Sequence, residues 1–187
     1  MNRDKEFLLD YNNLYKRALF DTDVSDELIE MKSIVQKTHQ KGKKVIFFGN
    51  GGSAGIATHA AVDFTKQGGV RTINVNEPGI ITCFANDYGF ELWVQKALEF
   101  YMDPEDVVVL ISSSGTSKNM VNAANYLQEC NNTLITFTGH SVDNPLKQLG
   151  DINFWLDSKA YNIVENVHLI WALTVVDMII GKAEYSV

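Results

Sequence analysis

Apolar residues at Phe7, Leu8, Tyr11, Leu14, Tyr15, Ala18 and Leu19 recur at helical spacing and predict an amphipathic helix near the start of the chain. A second helix is predicted with Ser25 as its N-cap and Asp26 and Glu27 in its first turn, running to about Gly42; its stripe is Leu28, Met31, Ile34 and Val35. The pattern then changes. KVIFF, RTINV, VVVLI, TLITF and INFWL are short β-rich runs, each separated by a segment of helical composition. This alternation predicts an α/β domain whose parallel sheet is covered by helices on both faces. The last helix, from about Tyr161 to Ile180, is apolar around most of its circumference and is expected to be buried, in the fold or in an oligomer. No linker or boundary divides the chain, so residues 1–187 are expected to form one domain.

Composition narrows the partners. A net charge of −7 and a pI near 5.0 argue against a broad nucleic-acid or anionic-membrane surface, which needs clustered Lys and Arg. They do not exclude an anionic small substrate held by oriented backbone amides. The two cysteines, Cys83 and Cys130, form no CxxC pair, so neither a disulfide framework nor a thiolate zinc site is suggested. The opening MNRDKEFLLDY has no signal-peptide apolar region. The run VHLIWALTVVDMIIG is shorter than a membrane span and is interrupted by Thr174 and Asp177. A soluble cytoplasmic protein is expected, with no membrane or nucleic-acid partner. Trp93, Trp155 and Trp171 are read as packing or interface residues, and His39 and His140 as solvated.

Two stretches resemble each other in kind: FFGNGGSAG at Phe47–Gly55 and LISSSGTSKN at Leu110–Asn119. Each follows a strand and places small hydroxyl and glycine residues where a helix begins, the position at which free N–H groups attract an anion. In the first, Gly49, Gly51 and Gly52 let the backbone approach closely, and Ser53 adds a hydroxyl. The same stretch fits the dinucleotide pattern GxGxx[GA], but the second strand closes on Asn74 and Asn76 where that pattern expects an acid. In the second, Ser112, Ser113, Ser114, Thr116 and Ser117 put five hydroxyls in six residues, which suits a phosphate held by neutral donors. A serine-rich turn with Ser117 as helix cap is the plainer alternative.

GNGGSA followed by ISSSGTSKN resembles the sugar isomerase (SIS) domain, and the chain is similar within that superfamily to phosphoheptose isomerases. The resemblance covers nearly the whole chain, including His59, the ANDYGFE segment at Ala85–Glu91 and the terminal Glu-containing helix. It implies a three-layer α-β-α SIS fold around a five-stranded parallel sheet, a homotetramer, and interconversion of sedoheptulose 7-phosphate with D-glycero-D-manno-heptose 7-phosphate. By resemblance Ser112, Ser114 and Ser117 hold the phosphate, with Ser113 beside them. Asn50, Ser53 and Asp87 contact the sugar or shape its pocket, along with Gly51 and Gly52. One ligand with a phosphate end and a reacting carbonyl end accounts for two loops.

Aldose–ketose isomerisation moves a proton between adjacent carbons, and needs a base plus an acid or metal at the carbonyl. Two helical pairs offer this chemistry: His59 with Asp63 at i, i+4, and Glu165 with His168 at i, i+3. Together His59, Asp63, Glu165 and His168 are candidate zinc ligands, or a base and an acid without metal; each pair is alternatively a surface or interface contact. The resemblance places Asp63 where the family carries its catalytic Glu, with His59 as ligand, and His168 is expected to serve as acid or ligand. It also exposes a departure, since Val164 and Ala172 stand where the family carries a Gln and a catalytic His. His168, one turn before Ala172, is the nearby replacement. A non-catalytic phosphosugar-binding or protein-binding regulator, or an isomerase of a different phosphosugar, is the rival expectation.

Overall fold

The computed structural model describes residues 2–185, and in them every predicted strand is present. In chain order the elements are α1 (Arg3–Phe20), α2 (Ser25–Gln40), β1 (Val45–Gly49), α3 (Gly52–Lys66), β2 (Thr72–Asn74), α4 (Pro78–Tyr88) and α5 (Trp93–Tyr101). They continue with β3 (Val107–Ser112), α6 (Lys118–Gln128), β4 (Thr133–Thr138), α7 (Pro145–Leu149), β5 (Ile152–Trp155) and α8 (Tyr161–Ile180). All strand pairings are parallel, in the order β2-β1-β3-β4-β5.

Alternation along the strands splits the core in two. Val45 and Phe47 face a cluster with Met31, Val35, Phe64 and Trp171, from α2, α3 and α8. Ile46 and Phe48 face the opposite cluster with Trp93, Leu98 and Met120, from α5 and α6. Burial on both faces is why these strands read as continuous apolar runs rather than alternating ones. At the amino ends of β1 and β3 the Lys44 ammonium lies 2.5 Å from the fully buried Asp106 carboxylate, which also accepts from Lys44 N–H. That paired charge pins the end of the sheet away from the loops.

Two local readings change. Ser25 is the first residue of α2, and Asp23 accepts the Ser25 N–H at 3.0 Å. Strand β2 has only three residues because asparagine side chains continue its pairing to β1. Asn74 donates to Phe47 O at 3.1 Å, and Asn76 both donates to Gly49 O at 2.7 Å and accepts from Gly49 N at 3.1 Å. The asparagines that replace the dinucleotide acid are therefore spent on holding the end of β1. Helix α8 keeps the predicted bounds, and its most apolar 18-residue window has a mean hydropathy of 1.7, enough by length and composition to cross a membrane. Its buried side, including Val164, Val167, Trp171, Ala172 and Val175, packs into the core against α2 and α3.

Candidate active site

After β1 the chain moves outward to β2, then returns past β1 to build β3, β4 and β5. The strand order therefore reverses between β1 and β3, which is where a doubly wound sheet opens a ligand crevice at its carboxyl edge. Gly49 pairs in register with Ile111, so the two small-residue loops leave the sheet side by side. Helix α3 leaves one face and α6 the other, and both amino ends point into the crevice. A cavity of about 280 Å³ lies there, lined by Asn50, Gly51, Gly52, Ser53, Ser112, Ser113, Ser114, Ser117, Tyr161 and Glu165. Eight of these lining residues come from the two loops, and the other two from the first turns of α8.

The serine loop is built to receive something. Ser117 occupies the cap position of α6 but its hydroxyl makes no cap bond; it stands 3.4 Å from Ser112 Oγ. Ser113 is only 5% exposed, and its hydroxyl is buried without a partner. Such a group costs roughly 1–3 kcal/mol unless a ligand satisfies it. Ser114 Oγ accepts from Thr116 N–H and hydroxyl at 3.3 and 3.0 Å, which leaves its own proton to donate. The turn is held by Gly115, whose φ of 66° lies in the left-handed region and where a β-carbon would overlap the buried Asn144 side chain. Asn144 in turn donates to Ser141 O at 2.8 Å and caps α7.

The first loop plays a different part. Asn50 does not point freely into the cavity: its side-chain amide is paired with that of Asn119 on α6, 2.9 Å in each direction. Gly51 has φ 55° and leads into α3 with no side-chain cap, so the helix presents bare N–H groups to the crevice. A β-carbon on Gly52 would overlap the carboxylate of Glu165. The glycine is required because that carboxylate lies against the amino end of α3, where the helix dipole favours negative charge.

The other expected site residues are elsewhere. Asp63 is about three turns, ~16 Å, along α3 from Gly52, paired with His59 at 3.3 Å on the helix surface, the two side chains 25% and 51% exposed. Within one chain this pair does not reach the cavity. His168 is turned into the core: it is fully buried, and its Nε2 donates to Thr138 O at 3.0 Å. Burial pushes its pKa down to about 4. It is packed edge-on against Phe137 and beside Trp171, so it reaches no substrate as an acid. The four expected zinc ligands accordingly do not meet, and among the described residues no three His, Cys, Asp or Glu side chains gather around one point. Asp87 lies exposed on α4, accepting from Asn86 Nδ2 at 2.9 Å, and does not line the cavity.

Sequence reasoning missed Tyr161 and Asn119, and misplaced His140. Asn119 stood inside the quoted motif, but only the fold sets it opposite Asn50. Tyr161 had no spacing signal to separate it from the start of an apolar helix. His140 is not solvated: it sits beyond β4 with φ 55°, its Nε2 buried, its ring edge-on to Tyr161 at 4.9 Å. A larger hollow of about 620 Å³ between the α1–α2 connection and α8 is walled by Leu19, Phe20, Leu28, Ile170 and Trp171, and offers nothing like the serine cup.

The parallel sheet and the hydroxyl cup at its switch point define a phosphosugar-binding SIS architecture. The SIS domain family model matches residues 10–139. A phosphoheptose isomerase of Fusobacterium nucleatum is 32% identical over 153 residues, 78% of each chain. A probable phosphoheptose isomerase of Thermoplasma acidophilum is 32% identical over 161 residues, covering 82% of this chain and 85% of that one. The solved phosphoheptose isomerase of Francisella tularensis superposes with a TM-score of 0.85 at 20% identity, over 96% of this chain and 99% of that one. The chain belongs to the phosphoheptose isomerase family of SIS-domain aldose–ketose isomerases.

Proposed function

We propose that this isomerase converts sedoheptulose 7-phosphate to D-glycero-D-manno-heptose 7-phosphate through a cis-enediol. The observation that carries the reading is the serine cup with its unpartnered Ser113 hydroxyl, facing Glu165 across one crevice. The carboxylate at the amino end of α3 repels a phosphate from the glycine loop. The phosphate is thereby directed to Ser112–Ser117, and the carbonyl end to Glu165. The names of the curated relatives support the seven-carbon substrate.

A homotetramer is part of the proposal. Helix α4 buries none of its residues, and Tyr88, Phe90 and Phe100 near it, with Phe7, Leu8 and Leu9 on α1, are exposed apolar side chains suited to subunit contacts. A second reading has the exposed His59–Asp63 pair of one subunit serving the cavity of another, with Asp63 as base. Its support is that the pair sits outward on α3 beside the exposed Val62. The experiment is turnover of sedoheptulose 7-phosphate by the purified protein, followed by NMR of the sugar. Binding without turnover would favour a phosphosugar-responsive regulator.

A further inference from the structure

We propose that Glu165 is the general base and Tyr161 the general acid of the reaction, a pair supplied by α8 of the same chain that holds the phosphate. The inference rests on the isomerase reading above. It starts from a restriction: of the residues that line the cavity, Tyr161 and Glu165 alone carry ionisable side chains, the rest being Asn, Gly and Ser. They are four residues apart on α8, so both project from one face of the helix over the crevice.

Their surroundings fit the two roles. Glu165 has no ion-pair partner among the described residues, and lies against the open amino end of α3. No neighbouring cation competes for that carboxylate, so its oxygens are open to take a proton from a bound sugar. Tyr161 is braced edge-on by His140, which holds the phenol at the mouth of the site and leaves its hydroxyl to donate. The residue types lost at Val164 and Ala172 are not missed from this arrangement, because both positions are buried in the core.

The step balances with these two groups alone. Glu165 takes the proton from the carbon beside the carbonyl, and the C–H electron pair becomes the C=C bond of the enediol. The carbonyl π pair moves to oxygen, which takes the Tyr161 phenolic proton. In the second half the other enediol hydroxyl returns a proton to the tyrosinate and becomes the new carbonyl. The C=C pair then takes the proton from Glu165 at the adjacent carbon.

The test is deuterium wash-in. Wild type, Glu165→Gln, Glu165→Asp, Tyr161→Phe and Asp63→Asn are each incubated in ²H₂O with sedoheptulose 7-phosphate, fructose 6-phosphate and ribulose 5-phosphate. NMR follows product and carbon-bound deuterium, and calorimetry follows binding. Glu165→Gln is expected to abolish wash-in and lower kcat about 10²–10⁴-fold, with binding held within about threefold. Glu165→Asp should restore part of the rate, and Tyr161→Phe should cut kcat while leaving binding. Wild-type turnover with wash-in preserved in Glu165→Gln overturns the pair, and loss of wash-in in Asp63→Asn alone hands the base to the neighbouring subunit. A wild type that binds the sugars but neither turns over nor exchanges any of them overturns the isomerase reading, and the pair with it.

Discussion

Asn50 and Asn119 exchange their side-chain amides, each Nδ2 donating 2.9 Å to the other's Oδ1. One belongs to the glycine loop after β1, the other to the first turn of α6 after the serine loop. These are the two sides of the crevice, and they hang from opposite faces of the sheet. The reciprocal pair fixes their separation, and with it the distance between the phosphate cup and Glu165.

Asn119→Ala should therefore weaken binding without a direct contact being lost. Asn119 is 2% exposed, so its removal leaves the Asn50 amide unpaired, a cost of about 1–3 kcal/mol. The expected result is a folded protein with a lower denaturation midpoint and a Kd for sedoheptulose 7-phosphate raised by about tenfold. Calorimetric titration checks it, and an unchanged Kd would show that the loops keep their spacing alone.

Ser113→Ala should move stability and affinity in opposite directions. Its hydroxyl has no partner in the free protein, so truncation removes a buried unsatisfied group and should leave the melting temperature unchanged or raised. If that hydroxyl meets a phosphate oxygen, affinity should fall about 5- to 30-fold, the weight of roughly 1–2 kcal/mol. Loss of stability with unchanged affinity would assign Ser113 to packing.

Strand periodicity and loop chemistry were legible in the sequence, because both are local. The runs around Phe47 and Leu110 and the hydroxyls of Ser112–Ser117 could be read without knowing what faced them. The catalytic half could not, because helical spacing gives neighbours along one helix and not what that helix faces. His59 and Asp63 are correctly adjacent, yet they lie ~10 and ~16 Å along α3 from Gly52 at the cavity. Glu165 and His168 are three residues apart and still part company. α8 is apolar nearly all round, so sequence alone could not say that His168 turns to Phe137 while Glu165 turns to Gly52.

That divergence bears on metal dependence. His168 has one nitrogen committed to a carbonyl and the other buried, while His59 and Asp63 are far from Glu165. Turnover is expected to survive dialysis against EDTA, with no gain from added zinc. Activity lost to chelator and restored by zinc would require ligands brought together from two subunits, and would be checked by metal content of the active protein.

His168 instead governs acid stability. Its Nε2 donates to Thr138 O, so the neutral ring carries its lone pair on Nδ1, a buried atom with no partner. Protonation would put a charge there, beside Phe137 and Trp171, with nothing to solvate it. Burial lowers the folded pKa from 6.5 to about 4, so between those values the unfolded chain binds the extra proton. Stability from this group is complete above pH 6.5 and is lost as pH falls toward 4, by about 3 kcal/mol in all. Thr138 O also accepts from Leu156 N at 3.0 Å, so His168→Leu does not orphan it. Denaturant titrations from pH 7.5 to 4 should show a shallower pH dependence for His168→Leu than for wild type. Parallel curves would mean that the proton is taken up elsewhere.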